Sequence, residues 1–294
     1  DCMIFGAFVV TFQRPEILKN TIGKIFSQSF LPNFLWVIDN SNDFETQKLV
    51  SSLDDNRIRY YRMGYNAGPA GAASKGLELC AEEANWIYWG DDNDPPFRND
   101  CFERLLNLKD VNPFCGVLGV VGQFFDRKKG VIKRVQSRLL EKKDWIEVDY
   151  VAGGMCMLVS GEVAKAGIVP DPNLFFGFEE LDFCLKVSRK GFSILVDCSL
   201  FLEARKESNR LEFTRPFYNK KENLEREYYS LRNLLMISDG LTLRSMRNRL
   251  IKKGLVKMIY GFRYGPEYGV KNFQMIGLAL LHYLRGVSGK TINL

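Results

Sequence analysis

The run Trp86-Ile87-Tyr88-Trp89-Gly90 passes directly into Asp91-Asp92-Asn93-Asp94-Pro95-Pro96, so an apolar, aromatic segment ends in three carboxylates and a double proline. Such residues over 86–90 predict a buried strand of a parallel sheet. Proline cannot continue its ladder, which leaves the acids at the strand's carboxyl end. In open α/β sheets that edge is where ligands bind. Neighbouring carboxylates repel one another unless a cation lies among them, and hard oxygen donors suit Mg²⁺ or Mn²⁺ carrying a diphosphate. An isolated Asp pair is ordinarily a solvated turn, so the flanking segments decide.

Those segments alternate. Phe5 to Val10, Leu35 to Asp39 and Ile58 to Arg62 read as short β-rich runs, and Pro15 to Gln28 and Gly71 to Glu83 as helices. Strand, helix, strand at this spacing predicts right-handed crossovers and a mostly parallel sheet flanked by helices. Four loops then converge at one sheet edge: Thr11-Phe12-Gln13-Arg14, Asp39-Asn40-Ser41, Asn66-Ala67-Gly68-Pro69-Ala70-Gly71 and the acid turn. Asp39 can accept a hydrogen bond from a base imide or ribose hydroxyl, and Gly68 and Gly71 let backbone approach a ligand at a helix start. A nucleotide fits. Neither a Gly-x-Gly-x-x-Gly fingerprint nor a P-loop occurs.

At 294 residues and 46% hydrophobic, the chain can bury the core of one large domain, or of a domain with an appendage. Seven cysteines, an odd number without Cys-x-x-Cys spacing, argue against a disulfide framework and a structural zinc, and hence for a reducing cytosol. The apolar run Met275 to Leu284 is too short for a bilayer core of about 30 Å, and no signal peptide is read before the first strand. A soluble or peripheral protein is expected. Residues 241–294 hold 10 Lys/Arg against one acid, Glu267, whereas the rest carries 31 basic and 34 acidic side chains. A basic tail with Leu250, Val256, Ile259 and Tyr260 at helical spacing predicts an amphipathic helix on an anionic membrane, with a dimer contact or a face over a core as the plainer alternatives.

Taken together, these motifs resemble the inverting family 2 glycosyltransferases of the GT-A fold, bacterial polysaccharide or cell-wall type, similar to galactofuranosyl and rhamnosyl transferases. Val9-Val10-Thr11-Phe12-Gln13-Arg14-Pro15 looks like their opening strand, Ile38-Asp39-Asn40-Ser41 like their base-contacting loop, and Asn66 to Gly71 like their Asn-x-Gly-x-x-Gly turn. Asp91-Asp92-Asn93-Asp94 stands where they carry Asp-x-Asp. Gly153-Gly154-Met155 resembles an acceptor-side segment, and Phe176 to Lys186 resembles the helix start that supplies the base. Tyr228-Tyr229 with Arg232-Asn233 looks like a segment that follows the catalytic domain.

The resemblance implies a GT-A catalytic domain over 1–215, with a nucleotide-binding half to about residue 96 and an acceptor half beyond it, and a helical basic region over 216–294. It implies a hexosyl transfer by single displacement, with Glu180 as base and Glu179 in reserve. Thr11, Arg14, Asp39, Asn66, Gly71, Asp91 and Asp92 would hold the nucleotide sugar, UDP ahead of dTDP. Gly153, Gly154 and Asp182 would face a glycan or lipid-linked glycan acceptor. Asp92, Asp94, Asn93 and Glu203 would hold Mn²⁺ or Mg²⁺. Three departures stand out. Asn93 replaces the family's third aspartate, Glu180 replaces an aspartate base, and Glu203 stands where many members have a metal-ligating histidine. The expected place is the cytoplasmic face of the cell membrane, with no nucleic-acid partner and with self-association through the tail.

The residues themselves suit an inverting transfer, since one carboxylate near an acceptor hydroxyl and a separate acid cluster near a departing diphosphate is what a single displacement needs. Two other classes compete. A sugar-phosphate nucleotidyltransferase would want a glycine-rich, lysine-bearing loop after the first strand, which Thr11 to Pro15 lacks. A catalytically silent glycan-binding or scaffold protein is compatible with Asn93.

Overall fold

The predicted strands form, each within a residue of its expected bounds: Phe5–Thr11 (β1), Phe34–Asp39 (β2), Ile58–Arg62 (β3) and Trp86–Asp91 (β4). They belong to a computed structural model that describes residues 3–152, 156–208 and 220–294. The later strands are Cys115–Gly119 (β5), Gly122–Asp126 (β6), Val131–Arg134 (β7), Trp145–Glu147 (β8), Tyr150–Val151 (β9), Met157–Ser160 (β10) and Ser193–Asp197 (β11). The main sheet runs β3-β2-β1-β4-β10-β5-β11-β8, and β7-β6-β9 forms a smaller one. Pairing is parallel across β3, β2, β1 and β4, and β10 reverses the direction beside β4.

Both faces of the main sheet are covered. Phe8, Ile38, Ile87 and Trp89 pack with Leu77 and Phe183 on one side, and Ala7, Val9, Val37 and Tyr88 pack with Leu18, Ile22 and Phe102 on the other. That is why β1 and β4 are continuous apolar runs instead of alternating ones. The helix Gly68–Ala81 lies close against β1, and a Cβ on its Gly76 would stand 2.3 Å from the Phe8 ring. It starts three residues before the expected Gly71. Pro69 is pre-shaped for the first helical turn, so the turn Asn66–Gly68 feeds the helix directly.

The basic tail is a set of helices, Leu224–Gly240, Arg244–Tyr260 and Pro266–Leu284, packed on one another. Leu235, Ile237, Met246 and Leu250 are buried in the same apolar cluster as Phe8 and Trp89. Leu250, expected on a membrane-facing stripe, is therefore a core residue, because the helix turns that face inward. The opposite side exposes Leu255, Val256 and Ile259, at 51%, 52% and 72%. No helix among the described residues is long and apolar enough to cross a membrane.

Candidate functional site

Asp91 closes β4 opposite Val10 of β1, and Asp92 follows it into the loop with its N–H on the Val10 carbonyl at 3.1 Å. The Asp92 carboxylate is enclosed. Thr11 Oγ1 donates to its Oδ2 at 2.8 Å, Arg14 Nη2 lies 2.8 Å from its Oδ1, and Thr21 donates to its backbone carbonyl. Asp92, at 0% exposure, thus holds Thr11 and Arg14, and among the described residues its Oδ1 meets only the Arg14 ion pair, without a hydrogen bond. Asn93 and Asp94 are exposed. Asp94 borders a cavity of about 250 Å³ with Cys156, Glu207 and Ser208.

The nucleotide-side loops are tied to one another. Gln13 N–H donates to Ser41 Oγ at 2.7 Å, which binds the loop after β1 to the loop after β2. Asn40 joins the loop after β2 to the one after β3, donating to the Gly68 carbonyl and accepting from Ala67 N–H, each at 3.1 Å. Asn66 Oδ1 accepts from Gly68 N–H at 3.0 Å, an Asx turn that opens the helix. Gly71 packs its α-carbon face against Ala67, where an added Cβ would come within 2.8 Å. Asp39, expected to read a base, is also enclosed at 0% exposure. Its oxygens accept from Ser41 N–H at 2.8 Å and Tyr60 O–H at 2.7 Å, so it shapes this loop and presents no oxygen outward.

Glu179 and Glu180 open the helix Glu179–Arg189, where the helix dipole favours carboxylates. The approach to them is strained: Phe175, Gly177 and Phe178 all have positive φ, at 63°, 87° and 67°. Among the described residues, Glu179 Oε2 is buried without a partner. Burial, with the charge of Asp91 adding to it, pushes Glu179 up to about 7. Burial, Glu179 and Asp91 together push Glu180 well above the carboxylate range. Burial with Asp92 and Asp94 lifts Asp91 to about 6. The helix start and the acid turn, far apart in sequence, thus feel one another's charge, which Arg14 offsets only in part.

Other expected site residues lie elsewhere. Gly153 and Gly154 fall outside the described residues. Asp182 accepts from Asp171 N–H at 2.8 Å and pairs with Lys186 at 2.6 Å, so it braces the preceding loop. Glu203 pairs with Arg98 at 2.7 Å and Arg104 at 3.7 Å, guanidiniums that also pair with Asp100 and Asp197. One helical turn on, Glu207 is the acid that reaches the Asp94 cavity, and helical spacing was the only signal for it.

Among the described residues, no three His, Cys, Asp or Glu side chains gather into a metal cage. The donor set nonetheless suits Mg²⁺ or Mn²⁺, which bind through one or two carboxylates plus substrate phosphates. Asp91, Asp92 and Asp94 all lie above the ordinary carboxylate value, burial being the first cause in each, and among the described residues Asp91 and Asp94 are the two whose carboxylates have no side-chain hydrogen bond or ion pair.

A brace from the tail completes the site. Asn233 Nδ2 donates to the carbonyls of Leu174, Phe176 and Gly177, at 3.0, 2.8 and 2.9 Å. Arg232, 0% exposed, donates to Leu174 O at 3.1 Å, Gly289 O at 2.9 Å and Thr291 Oγ1 at 2.9 Å. On the donor side, Ala70 N–H reaches Phe175 O at 3.2 Å, and Gly68 packs so tightly there that a Cβ would lie 2.1 Å from that oxygen. The segment before the two glutamates is therefore gripped from both sides. The Arg232-Asn233 pair was visible in the sequence, but its partners were not.

A family profile described as Glycosyl transferase family 2 matches residues 7–160, more than half of the chain, and the chain belongs to that family. It is 28% identical over 199 residues to Galactofuranosyltransferase GlfT1 of Mycolicibacterium smegmatis, covering 63% of this chain and 65% of that one. The match thus spans less than two thirds of that curated relative. Among solved structures, Staphylococcus aureus TarS 1–349 with UDP-GlcNAc aligns at a TM-score of 0.56 and 14% identity, over 97% of this chain and 82% of that one. The mannosyltransferase PcManGT from Pyrobaculum calidifontis, with GDP-Man and Mn²⁺, aligns at 0.54 and 11% identity, over 98% and 76%. The shared fold is GT-A.

Proposed function

We propose that this chain is an inverting, metal-dependent glycosyltransferase that moves a hexosyl group, with UDP-galactofuranose the leading donor, to a hydroxyl of a glycan or lipid-linked glycan. The observation that carries the reading is the opposition of the acid turn at the end of β4 to Glu179 and Glu180, joined by the field of Asp91. Family membership and the name of the relative support the sugar. The UDP-sugar in TarS supports the nucleotide.

Glu180 is the proposed base and Glu179 the reserve. The acceptor hydroxyl loses its proton to the carboxylate as its oxygen attacks the anomeric carbon, and the bond from that carbon to the diphosphate oxygen breaks on the opposite face. A raised carboxylate pKa suits this, since a base works best when its pKa lies near the working pH. Asp94 with Asp91 would hold Mn²⁺ or Mg²⁺, whose chemistry is to neutralise the departing diphosphate. Arg14, held by Asp92, is placed beside the same turn, and the knotted loops carrying Thr11, Asn40, Asn66 and Gly71 form the nucleotide seat. The basic tail is proposed to rest on the anionic cytoplasmic face of the membrane through Leu255, Val256 and Ile259, or to pair with a second copy.

The test is release of nucleoside diphosphate from a panel of UDP- and dTDP-sugars with Mn²⁺ and a glycan acceptor. Release of UDP on adding acceptor supports transfer. Pyrophosphate release points to a nucleotidyltransferase, and sugar-nucleotide binding without turnover points to a silent binding protein.

A further inference from the structure

We infer that His282 is a positioning residue for the transfer: its uncharged ring is the last acceptor of a hydrogen-bond relay that holds Arg232 and, through Asn233, the segment leading to Glu179. Protonation of the ring undoes the relay and loosens the start of the base helix. The word transfer rests on the glycosyltransferase reading, whereas the relay rests on contacts alone.

The relay is continuous. Arg232 Nη1 donates to Thr291 Oγ1 at 2.9 Å, Thr291 Oγ1 lies 2.7 Å from Tyr228 Oη, and Tyr228 Oη lies 2.6 Å from His282 Nδ1. Thr291 is fixed at this crossing, because Tyr229 Oη donates to Ile292 O at 2.8 Å and Gly289 N–H donates to Asn173 O at 2.7 Å. On its other side Arg232 donates from Nε and Nη2 to Asn233 Oδ1, at 3.2 and 3.1 Å. That contact orients the Asn233 amide so that Nδ2 meets Gly177 O at 2.9 Å, two residues before Glu179. His282 is thereby joined to the approach of the two glutamates by a chain of bonds, though it is remote from them in sequence.

The direction of donation decides what the ring must be. A guanidinium only donates, and a hydroxyl has one proton to give. Run outward from Arg232, Thr291 accepts once and donates to Tyr228, and Tyr228 donates to Nδ1. That leaves Nδ1 unprotonated. A proton there makes Nδ1 a donor, so Tyr228 must turn its hydroxyl back onto Thr291 and the order of donation reverses. It also sets an imidazolium near Arg232, which is 0% exposed and has no carboxylate partner among the described residues.

The ring is half-buried, so water can deliver the proton. Burial, then the charges of Arg232 and Arg285, hold its pKa below the ordinary 6.5. Lys290 belongs to the segment that carries Thr291, and the helix Arg244–Tyr260 has no acid. The acids of the neighbouring helices are engaged elsewhere: Glu225 with Lys271, Glu227 with Lys221 and Lys257, and Asp239 with Arg247 and Tyr283. Glu267 opens the helix of His282 at its far end. With the folded value below the unfolded one, the ring's contribution to stability is full above about pH 6.5 and is lost as pH falls through the folded value.

The experiment follows the one histidine of the untagged chain by NMR. In parallel, UDP release from UDP-galactofuranose with Mn²⁺ and an octyl galactoside is measured for wild type and His282→Asn, whose amide oxygen is an acceptor that cannot charge. The expected ring midpoint lies below about 6.5, and the ratio of wild-type to His282→Asn turnover falls about threefold or more from about pH 7.5 to about pH 5 around that midpoint, with UDP affinity unchanged. The ratio cancels the acid limb that the base carboxylate itself imposes. Tm gives a readout free of activity: wild type should lose stability relative to His282→Asn over the same interval, and the opposite slopes of Glu179 and Asp91 cancel in the difference. Thr291→Val, which breaks the relay, should lower turnover near neutral pH, and Thr291→Ser should restore it. A ring midpoint at or above about 6.5, or a turnover ratio independent of pH, overturns the inference. Failure of the transferase reading shows separately, as absence of UDP release and UDP binding at every pH, while the ring midpoint and the Tm difference still decide the relay.

Discussion

Asn233 holds the carbonyl oxygen of Gly177 at 2.9 Å, two residues before Glu179, and so ties the tail of the chain to the carboxylates of the candidate site. The same amide serves Leu174 and Phe176, and Arg232 beside it spends its buried charge on carbonyls, not on a carboxylate. Positive φ at Phe175 and Phe178 is costly for residues with a Cβ and persists where surrounding bonds over-determine it. The tail is thus part of the site's scaffold. Removal of residues beyond Gly240 would strip Arg232 of Gly289 and Thr291 and uncover Leu235 and Ile237.

Asn233→Ala leaves three carbonyls without this donor, and a cost of about 1–3 kcal/mol is expected from each buried polar group left unpaired and dry. The measurable outcome is a lower chemical-denaturation midpoint together with a drop in turnover larger than the change in UDP affinity. Unchanged turnover in a folded Asn233→Ala protein would detach the brace from catalysis.

Glu180→Gln keeps shape and removes basicity, so turnover should fall by about two to four orders of magnitude with donor affinity within about twofold. Glu179→Gln run in parallel decides the assignment. If Glu179→Gln alone is inactive, the base is the buried carboxylate with the unpartnered Oε2.

The acid field sets a pH dependence. Glu179, at about 7, and Asp91, at about 6, lie above their ordinary values near 4, so the folded chain binds more protons than the unfolded one between about pH 4 and 7. Their contribution to stability is full below about pH 4 and is lost as pH rises through 6 and 7. Without divalent metal, Tm should therefore fall between pH 5 and 8, and Glu179→Gln should flatten that slope. A steeper slope in the variant would contradict the assignment.

The two acids that follow β4 should separate in their effects. Asp94→Ala is expected to keep Tm and lose the Mn²⁺-dependent part of UDP binding, as EDTA would in wild type. Asp92→Ala should lower Tm, since it frees Thr11 and Arg14 from a buried partner. Full UDP binding in EDTA would remove the metal from the proposal.

Liposome sedimentation tests the tail. Each basic side chain near an anionic surface contributes about 1 kcal/mol, so pelleting with anionic vesicles should weaken steeply with salt. The double change Val256→Ser with Ile259→Ser should reduce it. Equal pelleting with neutral and anionic vesicles, or none with either, leaves the exposed stripe as a contact between copies.

The nucleotide half was legible in the sequence because its signals are local. An apolar run halted by acids and proline marks β4, Pro15 and Pro69 mark helix starts, and Asn66 with Gly68 writes its own turn. These depend on residues a few positions apart, where backbone sterics and short hydrogen bonds decide. Tertiary structure alone decided what surrounds each carboxylate. Tyr60 reaches Asp39, Thr11 and Arg14 reach Asp92, and Arg98 reaches Glu203, contacts that no local motif announces. It likewise put Leu250 in the core and Arg232-Asn233 on the strap before Glu179. The physical reason is that desolvation and ion pairing depend on neighbours brought in from distant parts of the chain, and one sequence carries no record of that proximity.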